Sequence, residues 1–320
     1  MLQLQDSFGR TFKTLRVSLL NSCNLACSYC VNPDVKSKPD DIFKKDTRLN
    51  NEQFIDIIDT LHKTLQLSTI RLTGGEPLLY KSLLPLIDGI KKTGINNIKI
   101  TTNGVLLAEK AKALKERGIT SINISLDTID DATSMLINKK NNLDKIIAGI
   151  ESCIDTGIPV KINCVVMRGI NDNNLMQVFE FCKQRNITVR FLELMEMGHL
   201  YHNYEDYFFS EASILSTIKQ QYTISPVIRK QGATANYWTT QDGFKFGIIA
   251  NNSSPFCDDC NRLRLDSYGN IFGCLSNDTP IPVKEYIREP KALTQKLEEA
   301  LSQKQMKFSG SKLSMLHIGG

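Results

Sequence analysis

From about residue 15 to residue 193 the chain alternates short β-rich runs with longer runs of helical period. The strand-like runs are Leu15–Leu20, Thr69–Leu72, Asn97–Thr101, Ser121–Ser125, Val160–Val166 and Thr188–Phe191. Between them, helical patterns cover Asn51–Gln66, Ser82–Thr93, Leu106–Arg117, Asn142–Thr156 and Asn173–Arg185. In the second of these, Leu83, Leu84, Leu86, Ile87 and Ile90 share one broad face. Gly94, Gly118 and Gly157 follow three of the helical runs, a usual stop signal before the next strand. Strict alternation predicts an α/β fold with a parallel sheet and right-handed crossovers, built as an open partial barrel or a doubly wound sheet. In either, ligands gather at the C-terminal ends of the strands. Polar and glycine-rich tips fall at those ends: Cys23, Thr73–Pro77, Thr101–Gly104, Ser125–Asp127 and Met195.

After about residue 195 the rhythm changes. One helix is expected over Glu211–Tyr222 and a charged one over Pro290–Gln303. Strand-like pieces lie at Tyr237–Thr240 and Phe246–Ala250, and Leu263–Asp266 and Ile271–Cys274 read as a hairpin turning at Gly269. The expected organisation is therefore residues 1–195 as one unit and 196–320 as a second.

Composition narrows the class only slightly. A net charge of +5 does not demand nucleic acid, though it would suit a small polyanion if the basic residues cluster. No apolar run approaches the roughly 18 residues a membrane helix needs. Residues Met1–Asp6 lack a signal-peptide pattern, so the expected location is cytoplasmic. No P-loop or dinucleotide fingerprint occurs.

The cysteines change the picture more. Six of the nine form two triplets. Cys23, Cys27 and Cys30 are spaced C-x3-C-x2-C directly after the first strand run; Cys257, Cys260 and Cys274 are spaced C-x2-C-x13-C, with the hairpin returning the last toward the others. Such spacing argues for metal or catalysis over disulfides. Three thiolates on one loop can hold three irons of a cubane and leave the fourth open to a ligand. A zinc knuckle would want a fourth ligand close by, and the nearest histidine, His62, is 32 residues past Cys30. Cys153, Cys164 and Cys182 read as small buried hydrophobes, and His199 and His202 as surface residues.

Charged residues inside parallel strands are the other anomaly, because such strands are normally buried on both faces. Arg16, Arg71 and Lys161 break that rule. Arg262 and Arg264, two apart beside the second triplet, share a strand face suited to a triphosphate.

The C-x3-C-x2-C loop with Tyr29 before its last cysteine resembles the signature of radical S-adenosylmethionine (SAM) enzymes. Both triplets, Arg262-Leu263-Arg264, Gly74–Pro77, Ile100–Gly104, Ser125–Asp127 and the terminal Gly319-Gly320 together resemble the GTP 3′,8-cyclase family, which acts first in molybdenum cofactor biosynthesis. The resemblance runs the length of the chain. It implies a partial (β/α)6 TIM-like barrel with a C-terminal extension that closes the mouth and carries a second cluster. It implies two 4Fe–4S clusters, one on Cys23, Cys27 and Cys30 and one on Cys257, Cys260 and Cys274. SAM contacts would fall to Tyr29, Gly75, Ser125 and Met195. GTP contacts would fall to Arg16, Arg71, Thr101, Lys161, Arg262, Leu263 and Arg264. Catalytic positions would be Arg262, Arg264, Gly319 and Gly320, the glycines as a tail reaching into the site. Implied partners are GTP, a low-potential electron donor and a downstream cyclic pyranopterin monophosphate synthase; a homodimer is compatible, and neither nucleic acid nor membrane is expected. Asn21-Ser22 and Val31 depart from the Asp-Arg and Met common in the family, but none of these is a ligand. Rival readings are a radical SAM peptide-modifying enzyme with an auxiliary cluster and a zinc-stabilised binding protein.

Overall fold

A computed structural model describes residues 4–32 and 48–318 of the chain. Its first part follows the expected alternation: β1 (Thr14–Ser18), α1 (Asn51–Leu65), β2 (Thr69–Thr73), α2 (Leu83–Lys92), β3 (Ile98–Thr102), α3 (Leu107–Glu116), β4 (Ser121–Ser125), α4 (Asp131–Asn138), α5 (Leu143–Asp155), β5 (Val160–Val166), α6 (Leu175–Gln184) and β6 (Thr188–Glu193). The short α4 is the addition to the expected elements. It has its own N-cap, Asp130, whose side chain accepts from Thr133 N. The start of α1 is fixed by a capping box between Asn50 and Gln53, and its end by Gln66 in the left-handed conformation.

The second part supplies α7 (Tyr204–Tyr207), α8 (Glu211–Lys219), β7 (Ile224–Val227), β8 (Asn236–Thr240), β9 (Lys245–Ile249), β10 (Arg262–Leu265), β11 (Asn270–Phe272), β12 (Ile281–Pro282), α9 (Pro290–Ser302) and α10 (Met315–Ile318). These strands continue the sheet of the first part. They extend the same sheet at both edges, giving twelve strands in the order β12-β11-β10-β1-β2-β3-β4-β5-β6-β9-β8-β7. Both joins are parallel, β10 on β1 and β9 on β6. The outermost strands do not pair, so the barrel is open. No helix among the described residues is long and apolar enough to cross a membrane.

Each central strand has two different faces. Leu15 and Val17, Ile70 and Leu72, Ile98 and Ile100, Ile122 and Ile124, Ile162 and Cys164, and Val189 and Phe191 are buried against the helices. The alternate positions are Arg16, Arg71, Lys99, Thr101, Asn123, Lys161, Asn163 and Arg190, and these face the concave side. A sheet covered on one face only needs this alternation, and it resolves the anomaly of charges inside parallel strands.

β10 belongs to the same scheme. Leu263 and Leu265 are fully buried, and Arg262 and Arg264 lie on the other face. Truncating the buried member should loosen the join: Leu263→Ala is expected to cost about 2–5 kcal/mol of unfolding free energy in urea titration, and a loss below about 1 kcal/mol would show that β10 contributes little to the core.

Candidate active site

The loop after β1 carries Cys23, Cys27 and Cys30, all free and half-buried. It is held by backbone bonds to the last turn of α4, with Ala26 N donating to Asn138 O (3.1 Å) and Ser28 N to Ile137 O (2.9 Å). His199 is not an idle surface residue, because its Nε2 lies 2.9 Å from Ser28 O and so braces this loop. The glycine turn after β2 docks on the loop's start. Gly75 N donates to Leu20 O (2.6 Å) and Glu76 N to Ser22 O (2.9 Å). A Cβ on Gly75 would stand 2.3 Å from Ser22 O, so only glycine allows this approach. Glu76 ties the turn to the next one, accepting from Leu78 N, from Thr102 Oγ1 (2.6 Å) and from Asn103 N (2.7 Å). Burial pushes its carboxyl up to about 7 against those three bonds.

The three thiols open on a cavity of about 220 Å³ that Tyr29, Gly75, Ser125, Asp127 and Met195 also line. The structure thus gathers all four residues expected to contact SAM around the first triplet. Leu25 N donates to Cys23 Sγ (3.4 Å), and Asn103 Nδ2 lies 3.7 Å from the same sulfur. Burial, then neighbouring negative groups, push the Cys27 thiol up; burial and Cys23 push Cys30 up to about 12. A bound cation would reverse that preference and hold the sulfurs as thiolates. Among the described residues no three His, Cys, Asp or Glu side chains converge as ligands of a single ion. A cubane, with its irons at separate corners, does not require that convergence.

A second cavity of about 170 Å³ adjoins the first, and Thr101, Asn163, Leu192, Met195 and Met315 line both. Cys257, Cys260 and Cys274 stand at its far side. Burial raises the Cys260 thiol, but Lys304 and Arg262 outweigh it and bring the group to about 7. Lys304 Nζ lies 3.5 Å from Cys260 Sγ and 2.5 Å from Arg262 O. Arg10 donates to Cys257 O from the N-terminal segment.

The floor between the triplets is basic. Strand register places Arg264, Arg16, Arg71 and Lys99 side by side on four neighbouring strands. Strands about 4.8 Å apart put those four cations within about 15 Å. Burial, then mutual repulsion, holds Arg16 well below its usual range and brings Arg71 and Arg264 down to about 10. Arg190 Nε and Arg262 NH2 are buried without a partner. No Asp or Glu is among the described residues lining this cavity. The arrangement is fit to meet an anion.

Not every expected GTP contact lies on this lining. Arg16, Thr101, Arg262 and Arg264 do. Arg71 sits beneath it, donating to Thr101 Oγ1 and Ile100 O (both 3.3 Å). Lys161 reaches the Tyr237 hydroxyl (3.3 Å). Leu263 is turned into the core, so its side chain cannot contact a ligand here. Gly319 and Gly320 lie outside the described residues. The tail before them lies across the site: Leu316 lines the first cavity, and Ile318 O accepts from Arg264 NH1 (3.3 Å). Sequence reasoning missed Lys99 and Arg190, although each is a charge between buried strand residues and carries the signal that picked out Arg16. Lys304 and Arg10 lie in irregular segments and offered no such signal.

Comparison with known proteins places this geometry. Residues 17–182 match the radical SAM superfamily and residues 187–310 the family described as Molybdenum Cofactor Synthesis C. The chain is thus a radical SAM protein by class, and that class brings an iron–sulfur cluster and SAM. A GTP 3′,8-cyclase of Campylobacter fetus is 36% identical over 290 residues, covering 89% of this chain and 87% of the relative. That of Aquifex aeolicus is 36% identical over 281 residues, covering 86% and 85%. That of Synechocystis is 35% identical over 284 residues, covering 88% and 85%. The chain belongs to the GTP 3′,8-cyclase family. Among solved structures, Streptococcus suis SuiB bound to S-adenosylmethionine superposes with a TM-score of 0.60 at 15% identity, over 91% of this chain and 66% of that one. Native anSMEcpe with bound AdoMet gives 0.61 at 16%, over 89% and 82%. At such identities the likeness extends to the fold alone.

Two measurements test the site. Gly75→Ala should push the Asn21–Ser22 backbone away and lower the iron bound through Cys23, Cys27 and Cys30, read in a chain whose second triplet is replaced by alanine; undiminished iron would show that the loop tolerates the shift. The second concerns Asp127, which accepts from Tyr29 OH (2.9 Å) and Val165 N (2.8 Å). Burial pushes its carboxyl from 3.8 up to about 6, against both bonds. The folded state therefore holds this proton more tightly than the unfolded state does. The resulting stability is complete below the unfolded value and is lost as the pH rises through about 6. About 2–3 kcal/mol should disappear over that window. Asp127→Asn should flatten the slope in urea titrations at pH 4 and 7, and an unchanged slope would remove Asp127 as its source.

Proposed function

We propose that the chain is a radical SAM cyclase that converts GTP to (8S)-3′,8-cyclo-7,8-dihydroguanosine 5′-triphosphate, the first step of molybdenum cofactor biosynthesis. The observation that carries this reading is the basic floor lying between two cysteine triplets that open on adjoining cavities. When bound, the first iron–sulfur cluster and SAM would supply a 5′-deoxyadenosyl radical to take hydrogen from the ribose 3′ carbon; that carbon would close on guanine C8, and one electron from the donor and one proton would quench the radical left on the base to give the 7,8-dihydro product. In our reading Cys23, Cys27 and Cys30 hold that cluster, while Tyr29, Gly75, Ser125 and Met195 seat SAM beside it. Cys257, Cys260 and Cys274 hold a second cluster and orient the guanine end. Arg16, Arg262 and Arg264 hold the triphosphate, with Arg190 completing the cradle and Arg71 setting Thr101 from below.

Orientation is the protein's main contribution. A substrate fixed at its base and at its phosphates presents its ribose to the wall shared by the two cavities. Met195, Leu192 and Met315 supply the apolar part of that wall and keep water from a reactive carbon radical. Residues 1–195 on this reading make the radical and residues 196–320 hold the substrate. The enzyme works in the cytoplasm, receives electrons from a low-potential donor and passes its product to a cyclic pyranopterin monophosphate synthase.

An anaerobic assay with SAM, dithionite and GTP tests the reading. The expected result is 5′-deoxyadenosine formed in step with loss of GTP. 5′-Deoxyadenosine formed without GTP consumption would retain the radical chemistry and overturn the substrate.

A further inference from the structure

We propose that the chain holds its two iron–sulfur clusters at different reduction potentials, with the buried Asp127 carboxylate lowering the first and the buried Lys304 ammonium raising the second. The inference rests on the two-cluster reading above and adds to it which cluster is the stronger reductant.

The charges around the two triplets are opposite in sign. Beside the first, Asp127 is 8% exposed and lines the same cavity as the three cysteines. Its oxygens are taken by a phenol and a backbone amide, Tyr29 OH at 2.9 Å and Val165 N at 2.8 Å, and neither carries a charge. Tyr29 lies between Cys27 and Cys30, so the hydrogen bond fixes the carboxylate against that half of the loop. Cys27 and Tyr29 both feel Asp127 as a neighbouring negative group, and Cys23 feels the buried Glu76 in the same sense.

Beside the second triplet the charge is positive. Lys304 is 7% exposed, its Nζ 3.5 Å from Cys260 Sγ and 4.7 Å from the Phe12 ring centroid. Arg262 adds a second cation, and Arg10 donates to Cys257 O. Arg10 is offset by the buried Asp6, which lies 2.6 Å from its guanidinium, so Lys304 and Arg262 are the cations that count. Asp258 and Asp259, between Cys257 and Cys260, pair with Arg229 at 3.6 Å and 2.9 Å. The Asp258 side chain is also 62% exposed, so solvent screens it.

Reduction adds one electron to a cluster. A fixed negative charge in a low-dielectric interior opposes that step and a fixed positive charge assists it. Groups just outside the ligands tune a metal centre in this way without touching it. The first cluster is thereby the stronger reductant, as cleavage of a sulfonium requires. Asp127 and Lys304 act through the ligand loops and are positioning residues.

Anaerobic redox titration of the reconstituted full-length chain at pH 8, followed by electron paramagnetic resonance, tests the proposal. Cys→Ala variants of either triplet assign the signals. The wild-type chain should show two separate one-electron transitions, with the second triplet's cluster reduced first. Asp127→Asn should favour reduction of the first cluster by about tenfold, a rise of about 59 mV for one electron, and leave the second in place. Tyr29→Phe keeps the charge and removes only the hydrogen bond, so its shift should be much smaller. Lys304→Met should lower the second transition by a similar factor, and Lys304→Arg should restore it. Coincident transitions in the wild type, or an Asp127→Asn chain whose first transition does not move, would overturn the proposal. Iron and sulfide analysis keeps the underlying reading separate: a chain that loads only one triplet overturns the two-cluster assignment itself.

Discussion

The parallel hydrogen bonding of β10 to β1 is the constraint on which the rest depends. It joins Thr14–Val17 to Arg262–Leu265, segments separated by most of the chain. Through it Arg264 comes to lie beside Arg16, and the second cysteine triplet comes to stand at the rim of the floor that the first triplet overlooks. The apolar half of β10, Leu263 and Leu265, supplies the burial that keeps the join closed. Without it the second triplet and the arginines of β10 would be parted from the floor that β1–β6 supply.

That join has an electrostatic cost. It brings Arg262 and Arg264 onto a face already occupied by Arg16 and Arg71, and burial plus mutual repulsion lowers several of these cations. Hydrophobic packing on the opposite face of the same strands carries the cost. The division of labour follows from the pleat: one face of each strand stabilises the fold and the other is held in readiness for an anion. On the proposed function a bound polyanion would relieve that repulsion as well as make contacts. The same reasoning explains the glycine turn at Gly75, where a missing side chain lets one loop's backbone bind another's and so fixes the first triplet without spending a polar side chain on it.

Much of this was legible in the sequence because it is local. The alternation of runs gave the six central strands nearly to the residue, with β4 and β5 at their observed bounds. The cysteine spacings marked both loops, and Arg16 and Arg71 showed themselves as charges in strands. What the sequence hid was long-range. Nothing in Arg262–Leu265 says that its partner is β1, so the extension looked like a cap and not a continuation of the sheet. Leu263 was grouped with its flanking arginines although strand alternation turns it away from them. His199 looked idle because its partner, Ser28 O, is 171 residues away. Lys304 gains its meaning only from Cys260, which no periodicity connects to it.

The position of β1 in the sheet also sets the order of events during synthesis. β1 leaves the ribosome well before its β10 neighbour, which emerges 248 residues later. At typical bacterial and eukaryotic elongation rates that interval is on the order of ten to fifty seconds. Throughout it the nascent β1 has one bare edge, and β6 has another until β9 arrives, both open to wrong partners. The arginines of the concave face stand along those waiting strands, and their like charges would keep two unfinished chains from zipping together. The residues proposed to receive a polyanion in the finished protein would thus serve, earlier, as guards against aggregation.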